Sequence, residues 1–215
     1  MIAVIDYHKG NLKSVERGLV GVGADARITD DPEQIARASA IVLPGVGAFT
    51  DAAESMRALG QMQLVCDRVK AGVPFLGICL GLHLMFQAGT EHAQGDPTPG
   101  MGLVRGIVDT LPKLDDQGTA YKIPHVGWNN VEYSEGHESC ALFDGIPSGE
   151  FFYFTHSFVV PESDTTIATT THSISFPCAI QVAERAFGVQ FHPEKSSDAG
   201  AHLLANFARL AGEKA

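Results

Sequence analysis

The N-terminal part of this chain alternates short apolar, β-branched runs with stretches whose apolar residues recur at helical spacing. Residues 2–5 precede a helical pattern over 12–22, residues 27–28 precede one over 32–38, and residues 40–43 precede one over 51–59. Continuous apolar runs are what strands buried on both faces require, and parallel neighbours need a crossover, usually a helix, between them. The punctuation agrees: Pro32 sits one residue inside a helix start behind Asp30 and Asp31, and Gly60 and Gly72 stand where helices should stop. Residues 73–78 are the most apolar of these runs. The expected fold class is α/β: a single domain over residues 1–215 with a mostly parallel central sheet flanked by helices. A chain of 215 residues, 45% of them hydrophobic, can bury one core of that size.

Beyond Gly89 the texture changes. Gly, Pro and polar residues run to Leu114, followed by strand-like segments at 150–160, 165–171 and 174–186, which predict an added antiparallel portion. Residues 197–210 close the sequence as an amphipathic helix, with Ala201, Leu204, Ala205 and Ala208 on one stripe. No apolar run is long enough to span a bilayer, and no basic segment precedes the first one, so a cytoplasmic protein without a membrane association is expected. A net charge of −10 without a basic cluster disfavours nucleic acid as a partner. The four cysteines are scattered and form no CxxC pair, which suggests neither a disulfide framework nor a metal site. No cofactor is implied.

One cysteine has a distinctive setting. Gly77-Ile78-Cys79-Leu80-Gly81 lies where the apolar run gives way to the helix-like residues 82–86. A strand, a sharp turn and a helix with small residues two positions either side of a nucleophile is the pattern that lifts a reactive side chain above a sheet. The helix N-terminus would favour the thiolate of Cys79. Alone, the segment fits a small core cysteine equally well, as Cys66, Cys140 and Cys178 are expected to be.

A second motif, Phe191-His192-Pro193-Glu194, runs out of another strand, and alternation would place His192 and Glu194 on one side, stiffened by Pro193. A carboxylate beside an imidazole sets its tautomer and stabilises its charged form. An isolated HxE also fits a strand-end histidine beside a solvated glutamate. Both motifs, however, are predicted at the C-terminal ends of strands, where open α/β sheets carry their sites. Amide chemistry further needs an oxyanion site. The Leu80 N–H is one candidate donor, and the turn Pro44-Gly45-Val46-Gly47, ahead of a helix start near Thr50, offers Val46 or Gly47 as another, Gly47 being preferred. Those glycines would serve an ordinary strand-to-helix turn as well.

In this order and spacing, PGVGAF, GICLG and FHPEKS resemble the class I glutamine amidotransferases, over nearly the whole chain. PHVGWN at 124–129 and YFTHSF at 153–158 resemble the branch of that family that feeds ammonia to a cyclase in histidine biosynthesis. The resemblance implies a Cys79–His192–Glu194 triad acting on L-glutamine and an oxyanion site from Leu80 and the Gly45–Gly47 turn. It also implies that Gly45, Ser157 and Phe158 hold the substrate, the latter two through backbone. His125, Trp128, Asn129 and Lys195 would face a TIM-barrel, HisF-type cyclase subunit in a heterodimer. Two positions depart from the family pattern: His83 stands where glutamine is common, and Phe158 where tyrosine is frequent.

Overall fold

The computed structural model describes residues 1–8, 12–137 and 139–212. The first half is built as its periodicity predicts: β1 (Ile2–Ile5), α1 (Leu12–Gly21), β2 (Ala26–Thr29), α2 (Pro32–Arg37), β3 (Ala40–Gly45), α3 (Phe49–Ala58), α4 (Gln61–Lys70), β4 (Phe75–Cys79) and α5 (Leu80–Met85). Asp31 caps α2, its carboxylate accepting the Glu33 N–H at 2.9 Å, with Pro32 at the first helical position. Gly60 and Gly72 adopt positive φ at the ends of α3 and α4, as helix stops do.

The second half comprises β5 (Phe86–Gly89), β6 (Thr98–Pro99), β7 (Val104–Thr110), β8 (His125–Tyr133), β9 (Glu150–His156), β10 (Phe158–Val159), β11 (Thr166–Thr171), β12 (Ser175–Ala183), β13 (Ala186–Val189) and α6 (Ser197–Leu210). Nine strands form one sheet in the order β2-β1-β3-β4-β13-β12-β11-β8-β9. Its first five are parallel and the remaining pairings antiparallel. A separate four-stranded sheet, β10-β7-β5-β6, lies beside it.

Two points differ from the sequence expectation. Residues 174–186 are not one strand: Glu184 and Arg185 turn the chain, and β13 doubles back to pair parallel with β4, Val189 beside Ile78. The helix after Cys79 starts two residues earlier than expected and ends one residue earlier, since Phe86 already belongs to β5 and pairs with Val104 of β7. Both changes come from long-range pairing that local periodicity does not encode.

Apolar side chains of α1, α6 and one sheet face form one core cluster with Phe152, Phe154, Phe187 and Phe191, while those of α3, α4, α5 and the other face form a second with Phe49, Phe75 and Phe86. The strands β1, β3, β4 and β13 are buried throughout. Among the described residues no helix is long and apolar enough to cross a membrane.

Candidate active site

Cys79 ends β4 and adopts φ 53° and ψ −107°, a conformation disfavoured for a side chain with a Cβ. The flanking glycines make that turn possible by steric necessity. A Cβ on Gly81 would stand 1.8 Å from the Leu43 carbonyl oxygen, and one on Gly77 would stand 2.7 Å from the Gly81 carbonyl. The backbone therefore folds onto itself and onto β3 more closely than any other residue allows, and Cys79 is presented at the N-terminus of α5. Gly45 of β3 pairs with Cys79, and it too is crowded, a Cβ there lying 2.6 Å from the Leu80 Cβ. Gly47 takes φ 109°, which glycine alone adopts without strain.

His192 and Glu194 hang from the neighbouring strand β13. Their pairing is real but not by strand alternation: β13 ends at Val189, and Pro193–Lys195 form a 3-10 turn with His192 at its N-terminal boundary. The turn follows from Pro193, which fixes its own φ at a helical value. Within it His192 Nδ1 donates to Glu194 Oε1 at 2.8 Å, and both side chains are almost fully buried. The loop is tied to β9 twice, since the His192 N–H donates to the Tyr153 carbonyl at 2.9 Å and the Tyr153 N–H donates to the Ser196 hydroxyl at 3.0 Å. The buried Ser196 hydroxyl in turn donates to the His192 carbonyl at 2.6 Å.

The remaining ring nitrogen, His192 Nε2, has no partner at full hydrogen-bond geometry among the described residues. Burial pushes the His192 pKa down, but hydrogen bonding and charge from Cys79 and Glu194 outweigh it and raise the value to about 10. The sulfur is thus within electrostatic reach of the imidazole, with the thiol–imidazole bond not fully formed, as is common for catalytic pairs without substrate. Burial instead pushes the thiols of Cys66, Cys140 and Cys178 up, consistent with unreactive core cysteines.

Cys79 opens onto a pocket of about 260 Å³, whose walls include Val46, Gly47, Leu80, Thr155, Ser157 and Phe158. The expected oxyanion and substrate groups therefore meet at the expected cysteine, Gly45 alone lying behind the wall, against Leu80. The Ser157 and Phe158 carbonyls each already accept one bond, from the Leu111 N–H at 2.8 Å and from His156 Nδ1 at 2.9 Å. Two further wall residues, Glu91 and His156, carried no sequence signal. Glu91 is half-buried, accepts the Phe49 N–H at 3.0 Å, and has its pKa raised by burial. His156 has its pKa lowered by burial to about 3, so it is neutral. Because His156 Nδ1 donates to Phe158, its Nε2 accepts from His125 Nδ1 at 3.0 Å. His83 lines the same pocket and is almost wholly buried.

Of the residues expected to face a partner, Trp128 is 52% exposed, and Lys195 stands over the Tyr153 ring at 5.9 Å. Asn129 is half-buried and donates to the Thr171 carbonyl at 2.8 Å. His125 differs from expectation: it is 4% exposed, stacked between Phe154 and His172, because strand alternation turns it to the opposite face from Trp128. The surface it was expected to share instead includes Val126 and Phe151, both more than half exposed on β8 and β9.

The sequence model of the glutamine amidotransferase class-I family matches residues 3–211. The imidazole glycerol phosphate synthase subunit HisH of Syntrophotalea carbinolica is 42% identical over 96% of this chain and 98% of its own. The same subunit of Moorella thermoacetica is 43% identical over 97% of this chain and 94% of its own. Among solved structures, a glutamine amidotransferase superposes with a TM-score of 0.72 at 19% identity, covering 99% of this chain and all of the other. The Trypanosoma brucei CTPS glutaminase domain with bound acivicin reaches 0.64 at 15% identity, covering 98% and 92%. These two likenesses establish the fold alone.

Proposed function

The chain belongs to the class I glutamine amidotransferase family, and from that premise we propose that Cys79, His192 and Glu194 release ammonia from the side chain of L-glutamine. It serves as the glutaminase subunit of an imidazole glycerol phosphate synthase, in histidine biosynthesis. The observation that carries the site assignment is the 2.8 Å His192–Glu194 pair in the turn just past β13, beside the Cys79 elbow at the end of β4, both at one sheet edge.

The Cys79 thiolate adds to the amide carbon, and the oxyanion is met by the Leu80 N–H and an N–H of the Val46–Gly47 turn. Charged His192 gives its proton to the departing nitrogen, so ammonia leaves and a thioester remains. Neutral His192 then takes a proton from water, whose oxygen attacks the thioester. Glutamate departs, and the thiolate with its imidazolium is restored. Glu194 holds the Nδ1–H tautomer throughout. Glu91, the carboxylate on the pocket wall, faces the substrate's α-ammonium, while Gly45 shapes the turn and Ser157 and Phe158 offer backbone amides.

The partner is a cyclase subunit, which we read as a HisF-type TIM barrel in a one-to-one heterodimer that receives the ammonia through its barrel. Support comes from the half-exposed Val126, Trp128 and Phe151, a run of apolar surface beside the Thr155 wall of the pocket. Residues 1–215 act as one cytoplasmic domain on this reading, since both core clusters pack on the same nine-stranded sheet.

The test is glutamate release by the purified chain, alone and with a cyclase subunit plus that subunit's nucleotide ligand. Slow release alone and strong stimulation in the mixture are expected, with Cys79→Ala inactive yet still binding the cyclase. Full activity without a partner would instead mark a free-standing thiol hydrolase.

A further inference from the structure

Gln190, one residue past β13, is entirely buried, and its side-chain amide has two contacts among the described residues. Its Oε1 lies 2.8 Å from His83 Nε2, and its Nε2 lies 3.7 Å from Cys79 Sγ. An amide oxygen only accepts, so His83 must donate from Nε2. That fixes the rest of the chain of bonds: with its oxygen turned to His83, Gln190 can only point its NH₂ at the sulfur. A buried side-chain amide whose donor end meets nothing but a nucleophilic sulfur is not explained by core packing, which would have provided it an oxygen.

We propose that His83 is a positioning residue for the nucleophile, donating to Gln190 so that the Gln190 amide in turn donates to Cys79 and favours its thiolate. The Gln190 amide is separate from the His192–Glu194 pair, so the sulfur has a second polar neighbour besides the imidazole. Burial keeps His83 neutral, with a pKa lowered to about 4, which preserves the single donor the chain needs and adds no charge near His192. The inference rests on Cys79 being the nucleophile.

The test is the pH dependence of Cys79 alkylation by iodoacetamide, with Cys79→Ala as the blank, alongside glutaminase kinetics in the complex with the cyclase. His83→Leu removes the donor and should lower the alkylation rate at pH 7 by about fivefold to tenfold, through a smaller thiolate fraction. It should lower kcat by a similar factor and leave KM within about twofold. His83→Gln, which can still donate to Gln190, should recover most of the thiolate reactivity. Gln190→Met should reproduce the loss, and the His83→Leu, Gln190→Met double variant should add little to either single one.

An unchanged alkylation profile in His83→Leu, a loss confined to KM, or additive losses in the double variant would overturn the proposal. Should His83→Leu not fold, an unchanged profile in Gln190→Met overturns it equally. If Cys79→Ala itself keeps hydrolysing glutamine, the nucleophile assignment fails; if Cys79 is required but indifferent to both neighbours, only the present inference fails.

Discussion

Gly81→Ala should disable this protein while Gly21→Ala should not, although both add one methyl group to a helix. At Gly81 the new Cβ would lie 1.8 Å from the Leu43 carbonyl oxygen, and real Cβ atoms do not approach closer than 3.0 Å. Leu43 is in the middle of β3 and Gly81 follows the Cys79 turn, so neither side can yield by rotating a side chain. The start of α5 and β3 must separate by more than 1 Å. Overpacking of this kind costs about 1–3 kcal/mol, and with backbone on both sides the upper end is expected. At roughly 2–4 °C per kcal/mol for a chain of this size, the melting temperature should fall by about 6–12 °C. Displacing a reacting group by about 1 Å can cost about a hundredfold in rate, and Cys79 rides on the displaced turn. Gly21 ends α1 with an ordinary φ and nothing within 4 Å of its would-be Cβ. Alanine there should raise stability by about 0.5–1 kcal/mol through helix propensity and a less disordered unfolded chain. Thermal melts and coupled assays of glutamate release in the cyclase complex read both effects. A Gly81→Ala protein that melts within a degree of the parent and keeps kcat within twofold would refute the steric account of the elbow.

His192 is raised to about 10 in the folded chain, above its unfolded value of about 6.5, so its charged form stabilises the fold fully below about pH 6.5. That contribution disappears as pH rises through about 10, and Glu194→Gln should move the alkaline limb of the kcat/KM profile to lower pH; an unmoved limb would count against the pair. Ser196→Ala removes the buried hydroxyl that joins the His192 carbonyl to the Tyr153 amide, and should cost about 1–3 kcal/mol in denaturant unfolding. It should lower kcat more than it raises KM, and the reverse split would place Ser196 in substrate binding. Trp128→Ala should weaken binding to the cyclase subunit by about 2 kcal/mol, read by calorimetry, with the chain's own melting temperature nearly unchanged.

What could be read from the residues divides along a physical line. β1, β3 and β4 were legible because strands buried on both faces must be continuously apolar, and Gly77 and Gly81 because only glycine tolerates the contacts found there. The HPE pair was legible as a pair, but its ties through Ser196 to β9 depend on a residue 43 positions away in sequence. The small second sheet was not legible, since β5 has four residues and exists by pairing with β6 and β7. His125 was misplaced for a similar reason. A histidine in a polar segment reads as exposed until β9, β11 and β12 close over it. Glu91 and His156 gave no signal because a pocket wall is assembled from loops and strand ends that no local pattern joins.

The seam between β4 and β13 lies in the interior of the nine-stranded sheet, with Val189 directly beside Ile78. Prising apart the two strands beneath the sulfur and the imidazole would mean breaking the middle of that sheet, the part of a fold that opens last and at nearly the full cost of global unfolding. The strands beneath the pair are therefore shielded from breathing, while the His192 turn, tied to the edge strand β9, follows motion there. Whatever throttles turnover has to act on the segments slung around that rigid seam, the turn at 45–47 and the β9 margin, whose motions cost far less.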